Sequence, residues 1–197
     1  MVALRPGSTP STSSTAPPTA PDGHANGRRA PGVHIIVQNL PVPFDRRVWL
    51  ECQSLTAAGY RVSVVCPAGP GDPSFEVIDG VSLYKYRPPR TGTGAAAFFL
   101  EYLHSLVATT WLTLRAWRHR RFEVLQACNP PDIFWPLALL LRPAGVRFVF
   151  DHHDLCPELY ESKFGNRSSL LYRGVRALEW STFHSADRVV STNDSYR

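Results

Sequence analysis

Ionisable side chains crowd one short stretch of this chain. Asp151, His152, His153, Asp154, Cys156 and Glu158 fall within eight positions, directly after the run Val146 to Phe150. Core packing does not account for that density. A histidine beside a carboxylate is oriented through one ring nitrogen while the other meets a substrate. Histidine, aspartate and cysteine are also metal ligands, and the same groups can simply bond one another. In an extended chain Asp151 and His153 point to one face, and His152 and Asp154 to the other. Adjacent ligands then diverge, and no partner histidine motif occurs elsewhere in the sequence. Substrate contact by His152, His153, Asp154 and Glu158 is therefore preferred over a metal centre, and no resident cofactor is expected.

Two other stretches carry usable groups. Asn129-Pro130-Pro131-Asp132 brings an amide and a carboxylate together. Asn129 suits a hydroxylated ligand; Asp132 either joins it or caps the next helix. The segment Gln38 to Arg47 lacks G-x-G-x-x-G, so a dinucleotide site of the usual kind is not expected. Arg46 and Arg47 fall in a first helical turn, where free backbone N–H groups already favour anions. They either contact a phosphate or carboxylate, or form a solvated pair with one arginine bonded to Asp45.

These residues need a frame, and the pattern supplies one. Val33 to Val37 is a short apolar run, as in a strand buried on both faces. Asp45 to Ala58 reads as a helix, with Asp45 as N-cap, a stripe of Val48, Cys52 and Leu55, and Gly59 beyond its end. Arg61 to Cys66 is a second strand. Phe75 to Tyr86 reads as two short strands around the turn Asp79-Gly80. A long helix follows from Ala95 to Arg118, then a strand at Val124–Cys128 and a helix at Asp132–Leu141. A strand at Val146–Phe150, a helix at Ser169–Ser185 and a strand at Arg188–Thr192 complete the order, with Asp194 or Ser195 as the cap of a further helix. Alternating strands and helices predict an α/β domain with a doubly wound, mostly parallel, Rossmann-like sheet. Ligands of such sheets lie beyond the carboxyl ends of the strands, which selects 38–47, 129–132 and 151–161.

The chain has 197 residues, 44% hydrophobic and 19% charged, with a net charge of +5. Part of that excess lies ahead of Gly32, where Arg5, Arg28 and Arg29 face only Asp22. No Lys/Arg run occurs beyond Arg118-His119-Arg120-Arg121, so nucleic acid is not an expected partner. The four cysteines are widely spaced without C-x-x-C, which fits reduced thiols in a cytoplasmic protein. Residues 1–31, rich in Pro, Ser, Thr and Ala, are expected to be a disordered tail with no signal-peptide core. Residues 32–197 are expected to be the folded domain. From Ala95 to Leu114 the long helix is nominally long enough to span a bilayer, which takes about 20 apolar residues, but it contains Glu101 and His104. It is read as a core or partly exposed helix, or as an interfacial one: apolar face toward lipid, basic end toward anionic headgroups.

Taken together, several spaced motifs carry a resemblance. Asn39-Leu-Pro-Val-Pro-Phe-Asp-Arg-Arg-Val48, Leu55-Thr-Ala-Ala-Gly-Tyr-Arg-Val62 and Val64-Val-Cys-Pro67 resemble the start of a bacterial family 4-type glycosyltransferase with the two-domain GT-B fold. Gln126-Ala-Cys-Asn-Pro-Pro-Asp132, Phe150-Asp-His-His-Asp-Leu-Cys-Pro-Glu158 and Ala186-Asp-Arg-Val-Val-Ser191 fit the same pattern. The resemblance covers residues 33–197, the acceptor-side N-terminal domain. It implies sugar transfer from a nucleotide-sugar with retention of configuration and no metal requirement. The acceptor is expected to be a polysaccharide or glycolipid, with peripheral membrane contact at the inner face of the plasma membrane. By position in the Asp-x-His-Asp pattern, His153 corresponds to the family's cleft histidine, which hydrogen-bonds the donor sugar. Arg46, Arg47, Asn129, Asp132, His152, Asp154 and Glu158 are the candidate substrate-binding residues. The loop after the first strand, often glycine-rich in the family, is Pro-rich here. The family's Glu-x7-Glu motif and nucleotide-binding domain are absent from this sequence, so the chain alone is expected to be incomplete, with a separate donor-binding polypeptide as a partner. The alternatives are a non-catalytic acceptor- or membrane-binding subunit and a metal-dependent hydrolase built on His152, His153 and Asp154.

Overall fold

The computed structural model describes residues 29–89, 95–164 and 170–191. All of the expected tail up to Arg28 lies outside them, as does the cap expected at Asp194 or Ser195. The strands are β1 (Gly32–Ile36), β2 (Arg61–Pro67), β3 (Phe75–Ile78), β4 (Val81–Tyr86), β5 (Val124–Cys128), β6 (Arg147–His152) and β7 (Arg188–Ser191). The helices are α1 (Arg46–Ala57), α2 (Ala95–His119), α3 (Trp135–Leu141), α4 (Cys156–Phe164) and α5 (Leu170–Ser185), with a 3-10 turn at Arg142–Ala144.

The strands form one sheet in the order β3-β4-β2-β1-β5-β6-β7. Only β3 against β4 is antiparallel; the other pairs are parallel. The chain builds outward from β1 to β2 and β4, returns to β5 on the far side of β1, and builds outward again to β6 and β7. This is the expected doubly wound arrangement. Its direction reverses between β1 and β5, which opens a crevice at their carboxyl ends.

Local signals set the first unit. Asp45 caps α1, its carboxylate accepting from the Val48 N–H at 3.2 Å. Gly59, at φ 85°, ends the helix in a left-handed conformation that costs glycine little. Asp79 and Gly80, at φ 47° and 81°, form the tight turn between β3 and β4. Strand alternation then splits the core. Val33, Ile35, Val64, Cys66 and Leu83 pack toward α1 with Val48 and Cys52. Ile36, Leu125, Phe148 and Phe150 face the other way, against Phe134, Leu137 and Leu141.

Another residue on that second face, His34 of β1, is fully buried. Its Nδ1 lies 2.7 Å from Ser63 Oγ and its Nε2 3.2 Å from Thr113 Oγ1, and its ring stacks on Phe122. Burial pushes its pKa down to about 3, so it is a neutral core histidine.

Three expectations change. The helix expected from Asp132 begins at Trp135, capped by Phe134 without a side-chain bond. In a helix begun at Asp132, Pro136 would fail to donate to the Asp132 carbonyl and its ring would crowd it; in the observed helix Pro136 falls in the first turn, where its missing N–H costs nothing. The strand expected to end at Phe150 continues through Asp151 and His152, which pair with Cys128, Val190 and Ser191. The stretch 151–161, expected to be a loop, is thus strand up to His152 and helix α4 from Cys156. Pro157 and Glu158 in that first turn are ordinary helix-start residues.

Candidate functional site

The sheet ends in two chemically different surfaces around the carboxyl end of β6. On the α1 side, Arg47 Nη1 donates to Asp151 Oδ2 at 2.6 Å, across 104 residues of sequence. His153 Nε2 lies 2.6 Å from Asp151 Oδ1 and also touches Arg47 Nη1. The carboxylate accepts from the guanidinium on Oδ2 and, in the tautomer with a proton on Nε2, from the imidazole on Oδ1. This fixes the ring by its Nε2 and leaves Nδ1 as the nitrogen able to meet a ligand. The Cys128 thiol donates to the same Asp151 oxygen at 3.3 Å. Burial, then the Asp151 charge, pushes that thiol well above its usual pKa, so it stays protonated.

The cluster extends one helical turn along α1. Glu51, four residues after Arg47, accepts from Gln126 Nε2 of β5 at 3.1 Å. Burial raises the Glu51 carboxyl, against the Gln126 bond and with help from the Asp151 charge.

The turn that carries His153 is held by Asn129. Its Oδ1 accepts from the N–H groups of His153 and Asp154 at 2.6 and 3.1 Å, and its Nδ2 donates to the Asp154 carbonyl at 2.5 Å. The amide expected to bind a ligand is thus committed to the loop, and it acts on the site by shaping that loop.

On the opposite side His152 is 1% exposed. Its ring lies 5.5 Å from Phe150 and 5.0 Å from Phe183. Burial, then the neighbouring His153, lowers its pKa, so the Glu179 carboxylate 4.0 Å away faces a neutral ring. Asp132 is 4% exposed. It lies beyond β5 rather than at a helix cap, and Thr182 Oγ1 donates to its backbone carbonyl at 3.1 Å. Burial pushes its carboxyl up to about 6, opposed by the Cys156 thiol and the Asn129 amide. Glu179 is pushed up to about 6 by burial and then by Asp132 and Glu158.

Of the sequence candidates, the structure joins Arg47 and His153 directly, and Asn129 through the backbone. It puts His152 on the opposite face from Arg47 and His153, and leaves the Asp132 carboxyl beside the Asn129 amide but apart from that pair. Arg46, Asp154 and Glu158 are exposed on the surrounding rim. Asp45, considered as a partner for an arginine, instead caps α1. Four residues of the cluster were not candidates: Asp151, Cys128, Glu51 and Gln126. Glu51 had a signal in its spacing of four from Arg47, and Gln126 in being polar within a buried strand. The metal-hydrolase ligand set does not assemble, because His152 and His153 lie on opposite faces. Among the described residues, no three or more His, Cys, Asp and Glu side chains gather as a metal site.

Comparison with known proteins gives this architecture a lineage. Residues 44–197 match the family model described as a glycosyl transferase 4-like domain. No curated protein matches the chain in sequence. Among solved structures, sucrose-phosphate synthase from Thermosynechococcus elongatus matches with a TM-score of 0.58 at 12% identity, over 81% of this chain and 41% of that one. Apo UGT2 from Phytolacca americana gives 0.54 at 13%, over 82% and 46%. A UDP-glucosyltransferase from Polygonum tinctorium gives 0.54 at 12%, over 84% and 47%. At these identities the likeness is one of fold, that of one Rossmann-like half of a GT-B enzyme. The chain spans less than half the length of each structure.

Proposed function

This chain belongs to the glycosyl transferase 4-like domain family, and from that we propose that it forms the acceptor-side lobe of a retaining glycosyltransferase. A second lobe binds the nucleotide-sugar, and transfer takes place between the two, onto a polysaccharide or glycolipid acceptor. The observation that carries this reading is the Arg47–Asp151–His153 cluster at the crevice where the sheet reverses direction.

In this reading Asp151 holds the His153 ring, and Nδ1 turns toward a hydroxyl of the donor sugar. Nδ1 accepts a hydrogen bond from that hydroxyl and so fixes the sugar's orientation, while the nearby guanidinium of Arg47 offsets negative charge that develops during transfer. Asn129 keeps the backbone at His153 in place. The nucleotide-sugar is a co-substrate, and the reading assigns no metal or resident cofactor.

The test uses the chain alone and the chain joined to, or mixed with, a donor-binding lobe, each supplied with UDP- and GDP-sugars. Transfer is expected only with the second lobe present. There, His153→Ala is expected to lower kcat by about 10²-fold with the circular dichroism spectrum unchanged. Robust turnover by the chain alone, or a wild-type rate for the variant, overturns the proposal.

A further inference from the structure

The end of the sheet opposite the crevice holds a cleft of its own. It has a volume of about 130 Å³ and lies at the C-terminal end of α2, among Tyr60, Arg61, Ser82, Tyr84, Arg120 and Phe122. A space of that size takes several water molecules. The amino ends of β1, β2 and β4 form its base, where Ser63 and Ser82 are partners on neighbouring strands. Ser63 Oγ is already bonded to His34. The Ser82 hydroxyl has no hydrogen-bond partner among the described residues. Gly32 makes room on the β1 side: a β-carbon there would lie 3.0 Å from Arg61 Nη2 and 2.9 Å from Phe122 Cα.

Positive charge is in excess here. Backbone carbonyls of Ala30 and Arg121 hold the Arg61 guanidinium, which fixes it without neutralising it. The Glu123 carboxylate lies 3.9 Å away and already accepts from the Gly32 N–H. Burial, then the charges of Arg29 and Arg120, hold Arg61 below its usual pKa, against the pull of Glu123. Arg120 is exposed, and its side chain has no hydrogen-bond or ion-pair partner among the described residues. The carbonyls at the end of α2 offset about half a charge, less than any one of these guanidiniums carries.

An occupant must bring negative charge and hydrogen-bond acceptors. Arg61 and Arg120 reach the cleft from different elements, β2 and the end of α2, and Ser82 lies on β4 beside them. Burial raises the Tyr84 phenol, against the charges of Arg115 and Arg120, so it stays protonated and able to donate. Donors on several sides match the outward oxygens of a tetrahedral phosphate better than the two coplanar oxygens of a carboxylate. The Tyr84 and Phe122 rings give the uncharged part of a phosphate ester an apolar wall.

We propose that this cleft binds a phosphate group, free or carried on a small monoester, with Arg61 and Arg120 on its oxygens and the Ser82 hydroxyl donating from β4. The site lies at the other end of the strands from the Arg47–Asp151–His153 cluster and is independent of the glycosyl-transfer reading.

The test is calorimetric titration of the full chain with inorganic phosphate and with phenyl phosphate, at an ionic strength held constant with sodium chloride. Saturable binding is expected, and with it a shift in the NMR ring resonances of His34, which bonds Ser63 at the base of the cleft. Tighter binding of phenyl phosphate assigns the monoester as the occupant; equal or weaker binding assigns the free ion. Arg120→Ala is expected to weaken binding about tenfold and Ser82→Ala about threefold. The Arg120 side chain is exposed, so the fold is retained. Arg118→Ala, on α2 but outside the cleft, changes nothing. No saturable binding of either probe, wild-type affinity in Arg120→Ala, or an equal loss in Arg118→Ala overturns the proposal. So does a titration that shifts the His153 resonances and leaves those of His34 in place.

Discussion

His152 and His153 are neighbours in sequence, yet strand geometry gives them opposite surroundings. On the α1 side of the sheet, His153 and Arg47 share a carboxylate, so one acidic group fixes both side chains. On the α5 side, His152 is wrapped by Phe150 and Phe183, and burial is the largest influence on the protonation of His152, Asp132 and Glu179. A paired cluster holds a fixed geometry, which suits a group that must meet a ligand. In the buried cluster the neutral forms are favoured instead, with the Asp132 and Glu179 carboxyls raised to about 6 and the His152 imidazole lowered. His34 is a third case: hydroxyl partners on both nitrogens and full burial make a histidine with a purely architectural role.

The contrast can be broken from either side. Phe150→Ala removes a ring that is 1% exposed and is expected to cost about 3–5 kcal/mol in urea unfolding. Asp151→Ala strands Arg47 and His153. Its expected cost is about 2 kcal/mol, below that of a fully buried pair, because water reaches the partly exposed arginine. That variant should also shift the His153 ring resonances in NMR, while those of His34 stay in place. Asp132→Asn tests the buried side. With its carboxyl raised to about 6, the folded state binds more protons than the unfolded state between about pH 4 and 6. Stability from this group therefore falls as pH rises through that window. The substitution is expected to stabilise by on the order of 1 kcal/mol at about pH 7.5 and to do little below about pH 4. Equal effects at both pH values would contradict the assignment. Asp45→Ala, which frays the turn carrying Arg47, should cost about 1 kcal/mol and leave that pH profile unchanged.

Much of the fold was legible because its signals are local. Asp45, Gly59 and the Asp79-Gly80 turn each act through a few backbone bonds, and the apolar runs of β1, β2 and β5 have no other use. The misreadings share a cause. Polar residues at Asp151 and His152 look like a loop, but pairing with β5 and β7 extends the strand through them. Pro136 and Pro157 show the same dependence on context: each falls in the first turn of its helix, where a missing N–H costs nothing. Within the site, His153 stood out by its neighbours. The Arg47–Asp151 bond did not, because it joins residues 104 positions apart that meet only after the sheet has reversed direction. Glu51 and Gln126 needed the same long-range placement before their spacing meant anything.

Arg61 has a practical consequence. Its backbone N–H donates to the Pro31 carbonyl at 2.9 Å, and its Nε to the Ala30 carbonyl at 2.7 Å. Its guanidinium also reaches the Arg121 carbonyl at 2.9 Å. The chain is thereby fastened at the amino end of β1, while the crevice opens at the carboxyl end, a strand length of roughly 16 Å away. An affinity handle, fluorophore or fusion partner attached ahead of Arg29 joins the domain at the end remote from the crevice. That makes this junction the natural attachment point for immobilising the protein with its crevice unobstructed.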